Sequence, residues 1–190
     1  MSQPKFSIPA EFQDQLHYHP SPDTRTDAEI LETLTKHAPV TSEKNIWAFW
    51  HSGVTSMPGW CQRNVVNWIR LCGPSGWTIR ILDSTTDSPN NALKFLPSEM
   101  LPKSFVDGKM DGPYVGPHSA DFLRGACLYQ YGGVYMDVGS ILMRDMDRIC
   151  WNQLENPASP FQVSVAWMFG TVIANHFIAA RKGDPFIKRW

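Results

Sequence analysis

The chain contains no run of about 18 apolar residues, the length a bilayer-spanning helix needs, so no segment reads as a membrane span. Its first residues, Met-Ser-Gln-Pro-Lys-Phe-Ser-Ile-Pro, lack the apolar stretch of a secretory signal, which makes the cytoplasm the default compartment. Charge is scarce: Asp, Glu, Lys and Arg make up 18% of 190 residues and sum to −1, against roughly 25% in an average chain. With no basic cluster, nucleic acid and anionic membrane are excluded as main partners. Cys61, Cys72, Cys127 and Cys150 form no CxxC or Cys/His group. That argues against a zinc site and leaves buried free thiols as the expectation. No Gly-x-Gly-x-x-Gly follows the first expected strand, which argues against a Rossmann dehydrogenase.

What the chain does have is aromatic and apolar bulk: eight Trp, ten Phe and 43% hydrophobic residues. That suits a filled core in a single domain, or flat surfaces that stack on bases and sugar rings. The pattern is organised around residues 116–142. Pro117 can open a helix, because its missing N–H is one of those left unpaired in a first turn. Phe122, Leu123, Ala126, Cys127 and Tyr129 then recur as an apolar helical stripe, and Asp121 and Arg124 share one face. Gly132-Gly133 stops the helix, since glycine enters left-handed conformations without steric cost. Val134-Tyr135-Met136 reads as a short buried strand that ends on Asp137. Open α/β sheets bind ligands beyond the carboxyl ends of their strands, which puts Asp137 at such an edge.

Taken in order, residues 1–25 read as an extended arm punctuated by Pro4, Pro9, Pro20 and Pro22. Thr26 and Glu29 form a capping box that opens a helix to about His37, with Ile30, Leu31 and Leu34 on its docking edge. Residues 1–44 are thus an arm and docking helix, and 45–190 the main domain. Asn45 to Trp50 is a strand, closed by a turn at His51-Ser52-Gly53. Pro58 to Leu71 is a helix with Trp60, Val65, Trp68, Ile69 and Leu71 inward and Arg63, Asn64 and Asn67 opposite. Trp77 to Leu82 is a second strand, ending at Asp83. Strand, helix, strand predicts a right-handed βαβ unit and parallel strands. Short helices are expected over 90–95 and 97–105, a loop over 107–113, strands over 161–169 and 171–174, and a helix after Pro185. That last helix reaches Trp190 with no visible C-cap, which reads as a domain cut short.

Ser119-Ala120-Asp121-Phe122-Leu123-Arg124 followed by Tyr131-Gly132-Gly133-Val134-Tyr135-Met136-Asp137 resembles the signature of the DXD-type sugar-nucleotide glycosyltransferases. These include fungal and bacterial capsular-polysaccharide and mannosyltransferase-like proteins and, more distantly, the glucosylating clostridial toxins. The resemblance implies a GT-A-like, Rossmann-like α/β fold with a mostly parallel sheet flanked by helices. It further implies transfer of a hexose from a UDP- or GDP-sugar to a glycan or other acceptor, with retention of configuration and no conventional general base. By the same resemblance Asp137 and Arg124 are the catalytic candidates, and Trp50, Asp121, Arg124, Tyr135 and Asp137 bind the donor. Trp50 would stack on the base and Tyr135 would line its pocket, while Trp47 remains core. Asp137 would also meet Mn²⁺ or Mg²⁺, which prefer hard oxygen ligands.

Where the resembled signature reads Asp-x-Asp, however, this chain reads Asp137-Val138-Gly139. A direct metal ligand is lost, with Asp145, Asp147 and Asn175 as possible replacements. A catalytically impaired sugar-nucleotide- or carbohydrate-binding relative is therefore the alternative. His118 could approach a phosphate or cap its helix; His51 and His176 stand isolated and are not expected to be ligands. Many relatives work in the Golgi, which keeps that compartment open beside the cytoplasm.

Overall fold

A computed structural model describes residues 9–15 and 21–189. Pro4 and Pro20 of the expected arm, and Trp190 at the end of the last helix, lie outside the described residues. The elements are α1 (Ala10–Gln13), α2 (Asp27–Leu34), β1 (Asn45–Phe49), α3 (Gly59–Cys72), β2 (Thr78–Leu82), α4 (Lys103–Val106) and α5 (Val115–Tyr131). They continue with β3 (Gly133–Met136), α6 (Asn152–Glu155) after a π-helical turn at Asp147–Trp151, β4 (Val163–Met168), β5 (Val172–Ala180) and α7 (Pro185–Arg189).

The strands form one sheet in the order β2-β1-β3-β5-β4. β1 pairs in parallel with β2 and β3, while β5 lies antiparallel to both of its neighbours. Four strands therefore point one way and only β5 opposes them, which is the mostly parallel α/β sheet expected.

Two-residue alternation divides the core between the faces of this sheet. Ile46, Ala48, Val134 and Met136 meet α2 and α3 through Ile30, Leu34, Val65 and Trp68. Trp47, Phe49 and Tyr135 meet α5 through Ala120, Leu123 and Cys127. The capping box of α2 is present on both sides. All four cysteines are free and buried.

α5 begins two residues earlier than expected, at Val115, so Pro117 lies inside the first turn, where a missing N–H still costs nothing. Phe122, expected on the buried stripe, is 40% exposed; the inward face is turned toward Ala120, Leu123, Arg124 and Cys127 instead. The helix expected over 90–95 is a single 3-10 turn, Ala92–Lys94, and that over 97–105 is a 3-10 turn plus α4. The glycine break is as read: φ is 72° at Gly132 and 104° at Gly133. A Cβ at Gly133 would stand 2.3 Å from the Asn45 carbonyl oxygen, so the start of β3 can pass β1 only as glycine. Among the described residues no helix is long and apolar enough to cross a membrane.

Candidate active site

Asp137 follows the last residue of β3, and its N–H donates to the His176 carbonyl of β5 at 3.0 Å. Strand alternation gives Tyr135 and Asp137 the same face, the one covered by α5. Tyr135 lies beneath the helix, 1% exposed; Asp137 stands just past the cover, half-exposed.

Between them is Arg124, 3% exposed, with its guanidinium over the Tyr135 ring at 5.2 Å. It donates to the carbonyls of Asn175 at 2.8 Å and Ala120 at 3.3 Å. Its Nη2 also faces Asp121 Oδ1 at 3.0 Å and Asp137 Oδ1 at 3.6 Å. Asn175 closes the group by donating its side-chain amide to Asp121 Oδ1 at 3.2 Å. An exposed i,i+3 pair would contribute only a few tenths of a kcal/mol. Here one cation is buried and holds two carboxylates from two elements, which makes the pair part of a site.

The group opens onto a cleft of about 670 Å³, also lined by Trp50, His51, Trp60 and Gly139. A second cavity, of about 680 Å³, lies beyond Asp121 and Asn175 and is lined by Met100, Phe122 and Tyr129. It shares those two polar residues but neither Arg124 nor Asp137. Burial raises the Asp137 carboxyl above its ordinary value; Arg124 and His176 pull it back and Asp121 adds to the rise.

The structure therefore brings Trp50, Asp121, Arg124 and Asp137 to one cleft. Trp47 is sealed in the core, its indole N–H donating to the Gly132 carbonyl at 3.0 Å. Tyr135 does not line the cleft: alternation puts it on the right face, but one step too deep, with its hydroxyl buried and unpartnered. Asp147 is held by Lys44 and the Trp77 indole, each at 2.9 Å, and Asp145 accepts from the Asp147 N–H at 2.8 Å. Both belong to the turn before α6 and neither reaches the cleft. Asn175 does, as the partner of Asp121. His51 lines the cleft although it stands isolated in sequence.

Val65, Trp68 and Ile69 of α3 are buried as expected, but three other residues of that helix differ from expectation. Trp60, expected inward, is 55% exposed and lines the cleft. Asn64 and Asn67, expected outward, donate to the carbonyls of Val138 at 3.0 Å and Leu142 at 2.8 Å. The Trp68 indole donates to the Ser140 carbonyl at 3.1 Å. Asparagines three apart flanked by tryptophans were the signal, but only the facing loop gives it meaning.

The residues present do not fit the divalent cation that the DXD resemblance implies. The cleft offers two carboxylates, Asp121 and Asp137, and both already face the Arg124 cation. Position 139 has no side-chain donor, and Asp145 and Asp147 do not line the cleft. Among the described residues no three His, Cys, Asp or Glu side chains converge.

Residues 77–156 match the family described as a glycosyltransferase sugar-binding region containing a DXD motif. The chain is 54% identical over 185 residues to the probable glycosyltransferase FCK3 of Fusarium pseudograminearum, covering 97% of this chain and 47% of that protein. It is 47% identical to the O-glycosyltransferase braB of Annulohypoxylon truncatum, over 88% of this chain and 41% of that one. With the glycosyltransferase afumC of Aspergillus fumigatus it shares 46% identity, over 87% and 44% respectively. It thus spans less than half the length of each of these relatives. Among solved structures, the PaToxG glycosyltransferase shares the fold, with a TM-score of 0.52 and 19% identity over 85% of this chain and 65% of that one.

Proposed function

The chain belongs to the DXD-motif glycosyltransferases, and from that premise we propose that its protein moves a hexose from a UDP- or GDP-sugar to a hydroxyl of a glycan or other acceptor, with retention of configuration. Hydroxyl acceptors accord with the O-glycosyltransferase named among its relatives. The observation that carries the reading is the buried Arg124 with Asp121 and Asp137 at the mouth of a cleft that also holds Trp50.

In this proposal Trp50 stacks on the base. Asp137 and Asp121 accept hydrogen bonds from ribose and sugar hydroxyls, which fixes the anomeric carbon for attack. Arg124 is a positioning residue: it holds both carboxylates, and its charge at the cleft floor offsets the negative charge that grows on the departing diphosphate. Replacing Asp137 with Asn should lower turnover of the sugar nucleotide by about 10²-fold or more. A wild-type rate in that variant would refute the site.

Gly139, in place of a second acid, favours one other reading, that of a relative which binds sugar nucleotides without turning them over. Calorimetric binding with neither hydrolysis nor transfer would select it.

A further inference from the structure

Position 139 is where the resembled signature carries its second acid. The backbone does not call for glycine there, because Gly139 is absent from the positive-φ glycines. What glycine does there is leave a ring uncovered: a Cβ on residue 139 would rest in ordinary van der Waals contact with Cη2 and Cζ3 of Trp60, at 3.6 Å. A larger side chain there would cover ring surface that Gly139 leaves open to the cleft.

Trp60 is held in that place. It sits in the first turn of α3, on the face whose next turns carry Asn64, Asn67 and Trp68. Those three side chains grip the carbonyls of Val138, Leu142 and Ser140, so α3 and the loop after β3 are locked in one register. The ring itself stays 55% exposed and lines the cleft that contains Asp137 and Arg124. An indole kept half in water beside a carboxylate offers what one face of a pyranose takes, a flat apolar surface next to a hydrogen-bond acceptor.

We infer that Trp60 and Gly139 form a platform for the hexose ring of the donor in place of a second carboxylate and its cation, so that the sugar nucleotide binds without a divalent metal. The inference rests on the sugar-nucleotide reading above. Arg124 is the cation that the site retains.

The test is calorimetric titration of the full chain with UDP, GDP, UDP-glucose, UDP-N-acetylglucosamine and GDP-mannose, in EDTA and again in Mn²⁺. Wild type should bind at least one sugar nucleotide equally in both buffers. Trp60→Ala should weaken that binding about tenfold, change the matching nucleoside diphosphate by less than about twofold, and be largely rescued by Trp60→Phe. Gly139→Asp should also weaken it and gain no need for manganese. The inference is overturned if Trp60→Ala has no effect, or if it weakens the free diphosphate as much, which would make Trp60 a base platform. It is overturned equally if EDTA abolishes wild-type binding, or if Gly139→Asp binds more tightly in manganese. Wild type that binds none of the five probes defeats the sugar-nucleotide reading itself, and this inference with it.

Discussion

Burial raises the Asp137 carboxyl above its ordinary value of 3.8, and that works against folding at neutral pH. Between the ordinary and the raised value the native chain binds more protons than the unfolded one, so stability falls as pH rises through that window. Asp137→Asn should therefore melt at or above the wild-type temperature at pH 7 in chelated buffer. The gap should close below pH 3.8, where the Asp137 carboxyl is protonated in the native and the unfolded chain alike, while donor turnover stays lost. A lower melting temperature at pH 7 would show that the Arg124 contact outweighs desolvation. Tyr135 gives the opposite contrast. Its hydroxyl is buried without a partner, so Tyr135→Phe should leave stability unchanged or raise it by up to about 1 kcal/mol. Sugar-nucleotide affinity should not move, and a tenfold loss would return Tyr135 to the donor site. At this scale the sequence was half legible. Period two assigns Tyr135 and Asp137 to one face, but depth beneath α5 is a tertiary quantity that no local pattern carries.

α5 and β3 were legible as elements because everything that defines them is local. A helical stripe, two glycines and a short β-prone run follow one another within twenty residues, and the positive φ at Gly132 and Gly133 answers the reason they were read as a break. α3 was legible as a helix, and Val65, Trp68 and Ile69 are buried as expected, but Trp60, Asn64 and Asn67 do not sit where polarity sends them. Trp60, Asn64, Asn67 and Trp68 share one face of the helix at 3.6 residues per turn, and polarity alone sends asparagines to water. What turns Asn64 and Asn67 inward is a loop some 75 positions away with carbonyls to satisfy, an instance of buried backbone groups finding side-chain partners. Asn67→Ala and Asn64→Ala should each lower stability by about 1–2 kcal/mol in urea denaturation. Asn64→Ala should also weaken donor binding, because it frees the Val138 carbonyl beside Asp137 and Gly139. Equal stability losses with unchanged binding in both variants would confine α3 to a scaffold role.

Across the whole molecule the site and the staple that steadies it occupy opposite ends of the sheet. Trp50 and Asp137 follow the carboxyl ends of β1 and β3. At the other end Glu43, just before β1, accepts from Arg181 at 2.9 and 2.7 Å and from the Lys182 N–H at 2.7 Å, just after β5. The carboxylate occupies the space above Gly132, where a Cβ would come within 2.6 Å of it. One side chain thereby ties together the entry to β1, the break before β3 and the exit from β5. Nothing local announced this, since its partners are 138 and 139 positions away. The Arg181 bond holds the Glu43 carboxyl below its ordinary value of 4.5, with the Lys182 N–H assisting against desolvation. A lowered folded value means that the stabilisation is fully present above 4.5 and is lost as pH falls through the folded value. Charge-assisted bonds of this kind, discounted for a partner 40% exposed to solvent, are worth about 1–2 kcal/mol. Glu43→Gln should therefore lower stability by about that much at pH 7, and the difference from wild type should shrink steadily as the buffer is acidified below 4.5. Because the staple lies a sheet's length from Asp137, donor affinity should be unaffected. A gap that persists at pH 2 would mean that packing over Gly132, rather than charge, is what Glu43 contributes.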